Sequence, residues 1–142
     1  MNILSIKRKN YSWNFNEDKR NLDNSKYLME TTVNTTNKVS EYKDEKRLKS
    51  TIHFQMLIKQ EEKKIAEYID NYQVIISDDE FKDYPNEKEI NNIKYDEKIL
   101  SIVEPYIRIN LDKTLDDAGF PNNILAYRFW KDAELVSENE EH

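Results

Sequence analysis

The sequence predicts an α+β domain, a four-stranded antiparallel sheet followed by one long and one short helix. Three observations carry that expectation. Four segments alternate apolar and polar residues with a period of two, which sends successive side chains to opposite faces of a strand. From Ile99 the period lengthens to that of an α-helix, about 3.6 residues. The backbone punctuation is also concentrated in one place. Gly119, the only glycine in 142 residues, and two of the three prolines, Pro105 and Pro121, fall within EPYIRINLDKTLDDAGFP (104–121).

The first strand, ILSIKRKNYSWNF (3–15), alternates in its second half, where Tyr11, Trp13 and Phe15 share a face. NEDKRNLDNS (16–25) is polar and turn-rich, so it reads as a loop. KYLMETTVNTTNKV (26–39) places Tyr27, Met29, Thr31, Val33 and Thr35 on one side and is rich in β-formers. RLKSTIHFQMLIK (47–59) aligns Leu48, Ile52, Phe54, Met56 and Ile58, with Ser50 the exception. In IAEYIDNYQVIIS (65–77), Ala66, Tyr68, Tyr72, Val74 and Ile76 line a face interrupted by Asp70, and the short charged link before it reads as a hairpin. Residues 78–98 are charged and aperiodic. They read as a long connection with room for a short helix, and as the most flexible part of the ordered chain.

The long helix is predicted over roughly residues 100–118. Leu100, Val103, Ile107, Leu111, Leu115 and Ala118 form one stripe, and Ile99, Ile102, Tyr106 and Ile109 form a second beside it. One small sheet cannot cover both, so the helix predicts a homo-oligomer, dimer or tetramer, with Ile102, Tyr106, Ile107, Leu111 and Leu115 at the interface. Pro105 fits a first turn or marks a bend. Gly119 suits the left-handed position just past a helix end, and Pro121 prevents continuation. NNILAYRFWKD (122–132) offers the short second helix or a capping segment. A single domain over 1–131 and an acidic, disordered tail over 132–142 complete the expected organisation.

Composition narrows the function. Apolar residues at 37% and charged residues at 35% predict a modest core. A net charge of -6 argues against nucleic acid and anionic membranes as partners. The absence of cysteine excludes disulfides, thiol catalysis and Cys-type metal centres. No apolar run is long enough to span a bilayer, and MNILSIKRKN lacks the apolar core of a signal peptide, so a cytoplasmic protein is expected. A single glycine leaves no phosphate-cradling loop, and no activated nucleophile or paired-carboxylate signature is present. Neither catalysis nor a cofactor or metal is expected. The runs Asp78-Asp79-Glu80 and Asp116-Asp117 are adjacent acids that do not by themselves make a cation cage. His53 has only His142 for company and reads as solvent-facing.

IVEPYIRINLDKTLDDAGFPNNIL (102–125) resembles the first-helix region of the SecB family of export chaperones. The shared pattern is carried by Val103, Pro105, Tyr106, Arg108, Gly119, Phe120, Pro121 and Leu125. IKRKNYSWNF (6–15) is similar to the family's first strand, with Lys9, Ser12 and Trp13 in register, and AEYIDNYQVII (66–76) to its fourth. The resemblance implies a cytosolic tetramer that holds unfolded or pre-secretory polypeptides in apolar grooves without ATP. It also implies SecA as a motor partner in the founding branch. There, acids on the first strand contribute to SecA binding, and the matching positions are Asn10 and Asn14, although Glu67 stays acidic. A SecB-like module dedicated to one partner, such as an antitoxin, is the alternative. Tyr11, Trp13, Phe15, Tyr27 and Tyr68 are the candidate client-binding residues, since rigid aromatics make non-directional contacts with many sequences. The competing reading places them in an ordinary core beneath the helix.

Overall fold

The computed structural model describes residues 1–24, 26–121 and Leu125. Four strands, β1 (Asn2–Phe15), β2 (Leu28–Tyr42), β3 (Glu45–Gln60) and β4 (Lys63–Ser77), precede a single long helix, α1 (Ile93–Asp117). The sheet is wholly antiparallel in the order β1-β4-β3-β2. The predicted short helix at 122–132 and the tail at 132–142 lie outside the described residues, Leu125 excepted.

The inward face is the predicted one. Leu48, Ile52, Phe54, Met56 and Ile58 of β3 and Ala66, Tyr68, Tyr72, Val74 and Ile76 of β4 are buried. Against them lie Ile99, Leu100, Val103, Ile107, Leu111 and Leu115 of α1. At roughly 1.5–3 kcal/mol for each large apolar side chain removed from water, this two-layer contact is the main source of stability. Ser50 and Asn37 are two of the buried polar residues. Ser50 donates to Asn37 at 2.7 Å, and Asn37 in turn donates to Asp96 at 2.6 Å, which ties the start of α1 to the sheet. Burial raises the pKa of Asp96, against the lowering effect of the Asn37 hydrogen bond.

Strand β1 carries bulges between Ile3 and Ser5 and between Arg8 and Asn10. Residues directly opposite in an antiparallel pair share a face. Trp13 opposite Tyr68 and Tyr11 opposite Asp70 therefore face inward, and the bulge keeps Arg8, opposite Tyr72, on that same side. This explains why the alternation is visible only in the second half of the strand.

Two expectations are corrected. The helix begins at Ile93, about two turns before the predicted start, because Asn92 caps it by accepting from the Lys94 N–H at 2.9 Å and Tyr95 is buried. Pro105 lies inside the helix, and both it and Ser101, whose carbonyl its missing N–H would have bonded, are exposed to water. The 78–98 connection, expected to be flexible, is anchored. A 3₁₀ turn over Asp79–Asp83 buries Phe81 completely, and residues 87–90 run along the outer edge of β2. There Val39 donates to the Lys88 carbonyl at 2.9 Å and Ile90 donates to the Asn37 carbonyl at 3.0 Å.

Both hairpin turns place two non-glycine residues in the left-handed region: Lys43 and Asp44 (φ 50° and 64°), and Glu61 and Glu62 (φ 52° and 67°). Two-residue turns of this kind favour Asn-Gly, because a left-handed backbone strains other L-residues. Replacing Lys43→Asn together with Asp44→Gly is expected to stabilise the protein by about 1 kcal/mol. An unchanged or lowered denaturation midpoint in urea would contradict that reading of the turn.

Candidate functional site

The helix ends as its sequence predicts. Gly119 has φ 74°, its N–H donates to the Asp116 carbonyl at 3.0 Å, and the Phe120 N–H donates to the Leu115 carbonyl at 2.8 Å. This pair of bonds is a Schellman motif, and it turns Phe120 back onto the sheet. Phe120 becomes the centre of an aromatic cluster. Its ring centroid lies 5.0 Å from Phe15, 5.2 Å from Tyr27 and 6.0 Å from Trp13, in edge-on arrangements that the ring quadrupoles favour. Trp13 and Phe15 are themselves 5.9 Å apart. Trp13, Phe15 and Tyr27 are half-buried, so the cluster seals one end of the core while still showing part of its surface. An open cleft adjoins it, lined by Trp13, Phe15, Glu17, Lys64, Ala66 and Glu67 among others.

Of the five aromatic candidates the structure thus assembles three, and adds Phe120, which sequence reasoning treated only as part of a turn. The other two are elsewhere. Tyr68 is 1% exposed and inaccessible to a client, because it stands in the inward row of β4 next to Phe54. Tyr11 is 65% exposed, but lies farther along β1 under the Arg8 guanidinium, 3.8 Å from its ring centroid.

Beneath Tyr11 lies the one buried carboxylate of the described sheet. Asp70, fully buried, receives Arg8 Nε at 2.7 Å, the Tyr68 hydroxyl at 2.8 Å and the Tyr72 hydroxyl at 2.9 Å. Asn110 of α1 donates to the Tyr72 hydroxyl at 2.9 Å, so the network runs from the edge strand to the helix. Burial and the neighbouring Asp70 charge push the Tyr72 hydroxyl up to about 12, and the same causes raise that of Tyr68 further. Burial lowers the Arg8 pKa, but the hydrogen bond and charge of Asp70 more than offset it, leaving a net rise.

The interface candidates divide in the same way. Ile107, Leu111 and Leu115 are completely buried against the chain's own sheet, so they offer nothing to a second copy. That corrects the expectation that they form an oligomer contact. Tyr106, 47% exposed, and half-buried Ile102 do face outward, joined by Ile109, 66% exposed. His53 lies on the opposite, polar face of the sheet in a row with Asn71 (2.5 Å), which donates to Asn10 at 2.5 Å. Among the described residues no acidic or histidine cluster is arranged to hold a metal, and no helix is long and apolar enough to cross a membrane.

Two outcomes follow from the Asp70 network. Arg8→Met should cost about 3 kcal/mol, since it strands a buried carboxylate, and adding Asp70→Asn should restore part of that loss. A double-mutant cycle in urea showing no coupling would refute the assignment. Because the folded Tyr72 pKa lies above the unfolded value of about 10, the protonated hydroxyl contributes stability that is present below pH 10 and lost between about pH 10 and 12. Tyr72→Phe should therefore flatten the alkaline decline in unfolding free energy.

No protein-family model matches the sequence, and no curated protein matches it. The fold is similar to that of a SecB-like chaperone from Mycobacterium tuberculosis, solved in complex with a peptide from an antitoxin. The two chains are 11% identical and superpose with a TM-score of 0.56, over 89% of this chain and 88% of the other. At that level of identity the likeness establishes architecture alone. A four-stranded antiparallel sheet followed by one long helix gives this chain the SecB-like α+β fold.

Proposed function

We propose that this protein is a cytoplasmic, ATP-independent chaperone of the SecB-like kind, which holds unfolded polypeptide segments through its half-buried aromatics. The observation that carries this reading is the cluster of Trp13, Phe15, Tyr27 and Phe120 beside an open cleft, on a fold shared with a chaperone seen holding a peptide. Rigid aromatic surfaces suit extended chains of varied sequence. The outer edge of β1, unpaired among the described residues, is a second means of recognition, through backbone hydrogen bonds to an added strand.

A homo-oligomer belongs to this proposal. A partner copy would cover Ile102, Tyr106 and Ile109, the outward members of the second helical stripe. Support for SecA as a recipient of clients is thin on the outer sheet face. Asn10 is engaged with Asn71, Asn14 is uncharged, and Glu67 pairs with Lys64 at 3.3 Å. A second reading, a module dedicated to one partner such as an antitoxin, is favoured by the peptide carried by the structural neighbour.

The deciding experiment is aggregation of a reduced, unfolded client followed by light scattering with and without the protein. Suppression at about one oligomer per client supports the holdase. A well-folded oligomer with no effect on any of several clients would sink that reading in favour of the dedicated module. The interface is read separately: Ile109→Asp should lower the oligomeric mass while leaving the fold intact. Leu111→Asp, by contrast, places a charge in the chain's own core and should unfold it at a cost of several kcal/mol.

A further inference from the structure

Arg20 sits in the crossover between β1 and β2, a stretch whose composition says only loop. Its guanidinium reaches the C-terminal end of α1. Nη1 donates to the Ala118 carbonyl at 2.9 Å and Nη2 to the Gly119 carbonyl at 2.6 Å. These two groups are left over by the Schellman turn, at the negative end of the helix dipole, where a cation is favoured. Nε donates to the Tyr27 hydroxyl at 3.2 Å. The guanidinium carbon lies 4.3 Å from the Phe120 ring centroid, 5.7 Å from Tyr27 and 5.8 Å from Phe15. Among the described residues Arg20 has no carboxylate partner, and its charge meets carbonyl dipoles and aromatic rings.

The rest of the crossover is pinned independently. Buried Gln60 accepts from the Asn21 N–H at 2.7 Å and donates to the carbonyls of Asn21 at 2.9 Å and Asn24 at 2.6 Å. The loop therefore has its own anchor, and Arg20 is free to serve the cluster. Phe15, Tyr27 and Phe120 come from β1, the end of the crossover and the segment after α1. Arg20 touches all three and links them to the carbonyls just past the end of α1.

We infer that Arg20 is the positioning residue of the polypeptide-binding cluster, fixing the aromatic edges that receive the aromatic side chains of an extended client segment. This inference rests on the reading of the cluster as a client site. A lysine would keep the charge, but its compact ammonium lacks the planar fork that bonds two carbonyls and the Tyr27 hydroxyl while lying among three rings. Loss of the fork should leave the core intact, because the helix stripe and the Gln60 anchor are untouched.

The test uses the full chain and two model peptides, extended and unstructured, matched in length and charge, one with aromatic and one with aliphatic side chains. Binding is measured by calorimetry for the wild type, Arg20→Ala and Arg20→Lys, with far-ultraviolet circular dichroism to confirm folding. The expected result is a loss of about tenfold in affinity for the aromatic peptide in both variants, with a smaller change for the aliphatic one. If the wild type binds and folded Arg20→Lys binds the aromatic peptide equally well, the inference is overturned while the client site stands. Equal losses for both peptides would overturn it too, since they would mark a general structural role. If the wild type binds neither peptide, both the site and the role of Arg20 fall together. Should Arg20→Ala fail to fold, the lysine variant alone decides.

Discussion

Packing of the Leu100, Val103, Ile107, Leu111 and Leu115 stripe onto the inward rows of β3 and β4 is the contact on which the other features depend. A helix with its side chains is about 10–12 Å across, whereas the outer strands of a four-stranded sheet lie about 14 Å apart. One helix therefore cannot roof the whole face. The two margins are handled differently. On the β2 side the connection to α1 folds back along the strand and donates backbone hydrogen bonds to it. On the β1 side nothing among the described residues covers the edge, and the strand meets solvent with Tyr11 and the outward helix positions Tyr106 and Ile109.

That uncovered margin explains why a charge pair sits where a hydrocarbon would be expected. Near the rim of the helix contact, a fully apolar inward row on β1 would be left wet. Arg8 resolves this by placing its guanidinium over Tyr11 and its Nε on buried Asp70. Removing a carboxylate from water is costly unless its lone pairs are filled, and here two tyrosine hydroxyls complete the set. The same pair also favours one register. A slip of β1 by one residue would send Arg8 to the outer face and leave Asp70 without its cation.

Much of this was legible in the sequence, for reasons that particular residues make plain. The period of two in β3 and β4 is nearly unbroken because both are central strands facing the helix. Gly119 and Pro121 marked the end of α1 because only a residue free of Cβ strain suits that turn. What was hidden depended on contacts between distant segments. The bulge near Lys9 shifts parity, so Arg8 reads as outward in a simple alternation. The start of α1 escaped notice because Asn92 and Tyr95 sit in a polar, aperiodic stretch where capping outweighs periodicity. The two apolar stripes of α1 were visible, but which one meets the sheet is settled by packing. Ile107, Leu111 and Leu115 could therefore be mistaken for an interface.

The cluster around Phe120 brings these points together. Its members span more than a hundred residues of sequence, and no local pattern brings Phe120 to the others. They meet because β1 ends beside the C-terminus of α1, and a left-handed glycine then folds Phe120 over that junction. The aromatic surface is thus made by the seam between layers rather than by any one strand. In the proposed chaperone reading this half-buried surface stays receptive because its rings are held from below by the core and from the side by Arg20. Under that reading, rigid edges of this sort lower one of the ordering costs of binding an extended chain.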